Sequence, residues 1–308
     1  MRQKHFGLAR SGVFSGRFMA SSHPLARLAP PLFVVIWATG FIVARLVAPH
    51  AEPLTFLIVR YLLAIVVLVA VVATVRAPWP TTRRGWRDAL VAGILLHGLY
   101  LGGVFWSVKH GLPAGIAALI AGLQPLATGL LVGPLLGERV TARRWAGIAA
   151  GFFGAALVVS PKIGGAEGLP PVALGVCLIA MISITFGTIW QKRTAHSVDL
   201  RTNTVIQYMG ALAVTVPVAL LTERGQLDFT PALWIGLVWA VFGLSIGAIG
   251  LLLVLIRRGA VAGVAALLYL VPPTSALMAF AIFGETLSPI QIVGMGAAAL
   301  GVALASRG

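Results

Sequence analysis

A shift of 147 residues lays this sequence on itself: Gly40 falls on Gly187, Thr55 on Thr202, Tyr61 on Tyr208, Gly103 on Gly250 and Pro125 on Pro272. Gly137-Glu138 falls on Gly284-Glu285, Gly147 on Gly294 and Gly154 on Gly301. One offset that survives from the start of each half to its end leaves almost no net insertion between them. The chain is an internal duplication, and its fold must be two copies of one unit.

What that unit sits in follows from composition. Apolar residues make up 59% of the 308, charged residues 10%, and mean hydropathy is +0.97, a balance that no water-soluble fold of this length hides in one core. The solvent is lipid, whose hydrocarbon core of about 30 Å takes roughly 20 residues of helix per crossing. The first half offers runs at 32–48, 54–75, 86–108, 113–136 and 144–160. The second offers 171–190, 202–221, 232–256, 261–283 and 289–305. The expected architecture is an all-α integral membrane protein of ten transmembrane helices: a tail over 1–31, a five-helix repeat over 32–160, a linker over 161–170 and a second five-helix repeat over 171–305. Because five is odd, the second repeat enters the membrane upside down relative to the first.

Lysine and arginine fit that topology, since short cytoplasmic loops carry the excess of them. With both termini inside, eighteen of the 23 fall in cytoplasmic segments, and Lys109, Lys162 and Arg224 fall outside. Arg45 and Arg60 lie in spans. A net charge of +15 raises nucleic acid as a partner, but positive residues spread over several loops of one face orient the protein, and no nucleic acid is expected. Cys177 is the single cysteine, so neither an intrachain disulfide nor a thiolate metal cluster can form. No metal and no cofactor is expected. The first thirty residues, with five basic residues, four serines and no acid, suit an organelle transit peptide, a cytoplasmic tail or a translation start at Met19.

The side chains that could act on a cargo are few. Every Asp and Glu is expected in a loop or turn. His97 is the histidine inside a span and the candidate for proton coupling; a neutral histidine bonded to a carbonyl or hydroxyl is the structural alternative. Arg60, whose counterpart is Gln207, lies roughly 9 to 10 Å into helix 2 and could meet an anionic group on a substrate. Trp37, Tyr100, Gln124, Tyr208, Ser245 and Tyr269 could complete a substrate pocket or could simply pack. Pro125, Pro272 and Pro273 should break helices 4 and 9, freeing carbonyls that must line a cavity or meet a neighbour. Glu138 and Glu285 are read as helix-entry turns or as gates on the two faces. Glu285 precedes a capping box, Ser288-Pro289-Ile290-Gln291. Arg45 and Lys192, equivalent under the offset, sit in last turns where a long cation snorkels. Gly98 with Gly102, Gly147 with Gly151 and Gly243 with Gly247 fit close helix packing.

Trp37-Ala-Thr-Gly-Phe, Pro53 followed by Arg60-Tyr61, and Pro125 ahead of Gly137-Glu138-Arg139, with the same proline-to-Gly-Glu spacing repeated from Pro272 to Gly284-Glu285, together resemble the EamA family of the drug/metabolite transporter superfamily. The resemblance spans Leu32 to Ala305 and departs at Pro272-Pro273, where the first half has Pro125-Leu126. It implies a multi-pass carrier of the bacterial inner membrane, with cytoplasmic termini, that exports amino acids or other small metabolites. The expected partners are a small-molecule substrate, the lipid bilayer and protons as coupling ion; a homodimer is compatible with the sequence. A carrier of cationic drugs would hold a buried carboxylate, whereas Arg60 offers the opposite charge, so the favoured cargo is an amino acid or related carboxylate. A phosphorylated-sugar or nucleotide-sugar exchanger would need clustered deep Lys or Arg. A membrane-embedded lipid-modifying enzyme would need a catalytic constellation that the spacing does not supply. A non-transporting membrane subunit would leave His97 and Arg60 without a role.

Overall fold

The computed structural model describes residues 24–124, 127–128, 131, 141–163, 169–194, 198–248, 250–251, 255, 267, 270–284 and 287–306. Among these the chain is helical, with ten helices and no strand beyond an isolated bridge between Ala51 and Leu227. They are α1 (Pro24–Val47), α2 (Pro53–Val75), α3 (Arg83–Lys109), α4 (Ala114–Ala121), α5 (Ala142–Ile163), α6 (Pro171–Thr194), α7 (Leu200–Thr222), α8 (Pro231–Ala248), α9 (Val271–Phe283) and α10 (Pro289–Ser306). Six of them, α1, α2, α3, α6, α7 and α8, are long and apolar enough to cross a membrane.

Several boundaries differ from those expected, each for a local reason. α1 begins at Pro24 and runs through Pro30 and Pro31, because Ala29, Phe33 and Val34 bury one face against Leu255 and that burial carries the helix past the prolines. α3 begins at Arg83, where Thr82 caps it by accepting from Gly85 N at 3.1 Å. The expectation that every acid lies in a loop or turn fails at Asp88, which already stood inside the run at 86–108: it is a helical residue, 7% exposed, with Arg87 Nη2 at 2.8 Å and Arg84 Nε at 3.7 Å. Pro272 and Pro273 stand in the first turn of α9, where the missing N–H costs nothing, and residues 256–266 and 268–269 ahead of them lie outside the described residues. Thr274 Oγ1 there donates to the Leu270 carbonyl at 2.6 Å. At α10, Ser288 and Gln291 exchange the two bonds of a capping box, Ser288 N to Gln291 Oε1 at 2.8 Å and Gln291 N to Ser288 Oγ at 3.4 Å.

Two helices carry a wider turn in their middle. α3 is π-helical over Ile94–Leu99 and α8 over Trp239–Ala248. The offset of 147 carries 94–99 onto 241–246, inside the second segment. Such insertions recur at functional sites because they re-aim side chains within an otherwise regular helix.

The packing of helices follows the duplication. α2 lies along α7 and α5 along α10, each helix against its own counterpart. α3 meets α7 as α8 meets α2, and α3 meets α6 as α8 meets α1. Along α5 and α10 the backbones touch: a Cβ on Gly154 would stand 2.7 Å from the Gly294 carbonyl, and one on Gly301 would stand 2.8 Å from the Gly147 carbonyl. Under the offset these two contacts exchange, since 154 becomes 301 and 147 becomes 294.

Candidate functional site

Where α2 and α7 cross, the side chains change from aliphatic to polar and aromatic. Tyr61 and its counterpart Tyr208 stack with ring centroids 5.2 Å apart and planes 19° from parallel, both fully buried. The wide turn of α3 brings His97 beside them, 4.9 Å from the Tyr208 ring. Tyr61 Oη donates to the His97 carbonyl at 2.8 Å. On the other flank the wide turn of α8 supplies Ser245, which accepts from Arg60 Nε at 3.3 Å and donates to the Ala240 carbonyl at 3.0 Å.

The counterpart of Arg60 makes the matching contact on α3. Gln207 Oε1 lies 3.2 Å from His97 Nε2, a hydrogen bond in the tautomer that carries its proton on Nε2. His97 Nδ1 and Tyr208 Oη are then left buried without a hydrogen-bond partner among the described residues, Arg60 and Ser245 standing near the Tyr208 hydroxyl but short of bonding geometry. Arg60 is only 5% exposed, and its guanidinium has five N–H donors, of which the bond to Ser245 uses one. An unpaired buried polar atom costs about 1 to 3 kcal/mol, so a cluster in which His97 Nδ1 and Tyr208 Oη both lack a partner among the described residues invites a polar visitor. Among the described residues nothing acidic belongs to it.

The structure thus brings together Arg60, His97, Tyr208 and Ser245 from the expected set. It places the others elsewhere. Tyr100 is buried with Phe41, Val104 and Cys177, and Trp37 packs on Phe33 with centroids 5.3 Å apart. Gln124 donates to Thr188 Oγ1 at 3.0 Å. Pro125, Glu138, Tyr269 and Glu285 lie outside the described residues. Pro272 lines a cavity of about 450 Å³ with Arg45, Pro113, Val158, Ser275 and Gln291, and no described residue of its lining is acidic. Pro273 is buried next to it in α9. Among the described residues no His, Cys, Asp and Glu group could hold a metal.

Sequence reading missed Tyr61 and Gln207 as site residues, although the offset already marked both as counterparts of pocket candidates. It also missed a pair of acids at the end of the molecule where α2 starts and α7 stops. Glu223 accepts from Leu54 N at 2.9 Å and from Thr55 N at 2.7 Å, capping α2. Glu52 in turn accepts from Arg224 N at 2.9 Å and Gln226 N at 2.8 Å. Burial pushes the Glu52 carboxyl up, but the N–H groups of Gln226, Arg224 and Gly225, with Lys109 nearby, hold it below its ordinary 4.5.

Comparison with known proteins decides what this helical duplication is. The model of the EamA-like transporter family matches the chain twice, over residues 31–160 and 172–307. The chain belongs to that family. It is 30% identical over 278 residues to the "Uncharacterized inner membrane transporter YedA" of Escherichia coli (strain K12), covering 89% of this chain and 88% of that one. It is 26% identical over 275 residues to the "Probable amino-acid metabolite efflux pump" of the same strain, covering 85% and 88%. A solved crystal structure with 21% identity covers 92% of this chain and 97% of its own, at a TM-score of 0.71, which speaks to the fold. The protein is a multi-pass membrane transporter of the EamA-like family.

Proposed function

We propose that the protein is a secondary-active exporter of a small metabolite, an amino acid or related carboxylate, working by alternating access between two inverted five-helix halves. The observation that carries the reading is the Tyr61–Tyr208 stack. A residue packs face to face on its own counterpart near a two-fold axis relating the copies, and the exchanged glycine contacts of α5 and α10 support the same relation. With an odd number of crossings per half, that axis lies in the membrane plane, so the arrangement open to one side is the symmetry equivalent of the arrangement open to the other. The charge bias supports cytoplasmic termini, and the relative called an inner membrane transporter supports a bacterial inner membrane.

Arg60 is assigned the substrate carboxylate, with Tyr208 and Ser245 beside it, and His97 the coupling proton. The wide turns of α3 and α8 are then where the bundle gives. Support for this cargo class comes from the buried Arg60 and from relatives: besides the efflux pump above, the "Probable terminal-alkyne amino-acid exporter" of Streptantibioticus cattleyicolor is 28% identical over 214 residues, covering 66% of this chain and 67% of that one.

Purified protein in liposomes tests the reading. Flux of amino acids or small carboxylates in a pH gradient is expected, with Arg60→Gln lowering flux of the acid about tenfold and flux of its amide little, the size of one lost hydrogen bond to a charge. Equal loss for acid and amide would make Arg60 structural, and no flux of any such solute would end the proposal. His97→Gln should remove the pH dependence while leaving folding intact.

A further inference from the structure

The start of α3 carries chemistry that transport does not use. A cleft of about 500 Å³ there is lined by Thr81, Thr82, Arg83, Trp86, Arg87 and Leu90, with Val91 below. Positions 83, 86, 87, 90 and 91 fall on one face of a helix, so the two arginines and the indole form one level of the cleft and the two aliphatic residues the next. At 1.5 Å per residue, Arg83 to Leu90 is roughly 10 Å, the step from the headgroup level into the acyl chains. The indole level is rigid. Trp86 Nε1 donates to the Pro80 carbonyl at 2.9 Å, and Trp79 stacks on Trp86 with centroids 5.8 Å apart and planes 7° from parallel. Stacked tryptophans at a helix end mark the depth of the membrane interface.

We infer that this cleft binds the phosphate of an anionic phospholipid, with the arginines on the headgroup and Leu90 and Val91 along an acyl chain. From Arg76 to Gly93 the chain carries four arginines against the single acid Asp88, a local charge of +3. Arg84 and Arg87 share Asp88, and among the described residues Arg83 has no acidic partner. A zwitterionic lipid gives such a cluster no net attraction, whereas each arginine at an anionic surface is worth on the order of fivefold in association. The apolar floor separates a lipid from a free anion, which has nothing to place on Leu90 and Val91.

Native mass spectrometry of the full chain, released from micelles holding equal phosphatidylglycerol and phosphatidylcholine, reads this directly. Retention of phosphatidylglycerol is expected over phosphatidylcholine, falling about tenfold in Arg83→Gln/Arg87→Gln, with inorganic phosphate at millimolar concentration failing to displace it. Arg143→Gln/Arg193→Gln, which removes the same charge from other helices, should retain the lipid as the parent does. Equal loss in both double variants would mean diffuse attraction, and displacement by inorganic phosphate would mean a free-anion site; either overturns the proposal, as does unchanged retention in the first variant. If Arg87→Gln disturbs Asp88 and the helix, Arg83→Gln alone, at an exposed position, still must lose about fivefold.

Discussion

The two seams where a helix meets its own counterpart are built in opposite ways. α5 and α10 touch through glycine, backbone on backbone, with a Cβ on Gly294 falling 2.6 Å from the Gly154 carbonyl. α2 and α7 touch through large side chains: stacked tyrosines, a buried arginine and a glutamine that reaches histidine. The first seam is closed, and its polar link, Gln291 Nε2 donating to the Val158 carbonyl at 3.0 Å, is already made. The second is bordered by π turns on both flanks and holds two buried polar atoms without partners among the described residues. In a chain that the family model matches twice, counterpart helices meet at both seams, and the divergence at Arg60 and Gln207 sets which side chains stand at the second.

The largest expected effect breaks the glycine seam. Gly294→Ala puts a methyl group against the Gly154 carbonyl and 2.8 Å from Leu157 Cβ, and backbone cannot step aside as a flexible side chain can. Overpacking of this kind costs about 1 to 3 kcal/mol. Two residues on, a Cβ at Gly296 meets nothing within 4 Å. Gly296→Ala should be neutral or add up to about 1 kcal/mol through helix propensity. Thermal denaturation in detergent checks both, and equal shifts for the two variants would mean that the close approach is not what holds α5 to α10.

The glycines that make this seam were legible from the start, as repeated small residues at an offset of 147. So were the helices, because apolar runs of membrane length are written residue by residue, and so was the capping box at Ser288 and Gln291. The π turns were not, since a wide turn leaves the apolar run unbroken and His97 and Ser245 look like any polar residue in a span. The site was legible in part for the same reason. Arg60 and His97 stand out as ionisable groups in lipid, but that Gln207 meets His97 and Ser245 meets Arg60 depends on which helices cross, and sequence alone offered Trp37, Tyr100 and Gln124 on equal terms. Asp88 was misplaced because it stands among the charged residues at the start of the run at 86–108, a stretch that reads as a turn although the cap at Thr82 makes it helix.

A smaller effect sharpens the comparison within the second seam. Tyr61 and Tyr208 are counterparts, yet one hydroxyl is used and the other is not: Tyr61 Oη donates to the His97 carbonyl at 2.8 Å, and Tyr208 Oη has no partner among the described residues. Tyr61→Phe should therefore cost about 1 kcal/mol, the net worth of a hydrogen bond. Tyr208→Phe should cost nothing or stabilise slightly, because it removes a buried group that the fold leaves unpaired. The transport assay should order them the other way if the Tyr208 hydroxyl serves a substrate, with flux lost and melting temperature kept. A Tyr208→Phe protein that melts lower and transports normally would assign that hydroxyl to the fold.

The smallest expected effect lies where α2 and α7 end, and it depends on pH. The Glu52 carboxyl titrates below its ordinary 4.5, because the N–H groups of Gln226, Arg224 and Gly225, with Lys109 nearby, outweigh the opposing effect of its burial. A carboxyl held lower in the folded state than in the unfolded one contributes stability that is complete above the unfolded value and is lost as pH falls through the folded one. Acidification from pH 7 should leave the junction intact until the pH drops below about 4.5, then release the N–H groups of Arg224 and Gln226. Hydrogen exchange at those two amides, corrected for intrinsic rates, should lose protection over that window in the parent and show none of the pH step in Glu52→Gln. The stacked tyrosines, which carry no carboxylate, should keep their protection throughout. If both regions loosened together, the acid pair and the aromatic stack would be one cooperative unit, and α2 with α7 would have to be treated as a single rigid body about which the rest of the bundle moves.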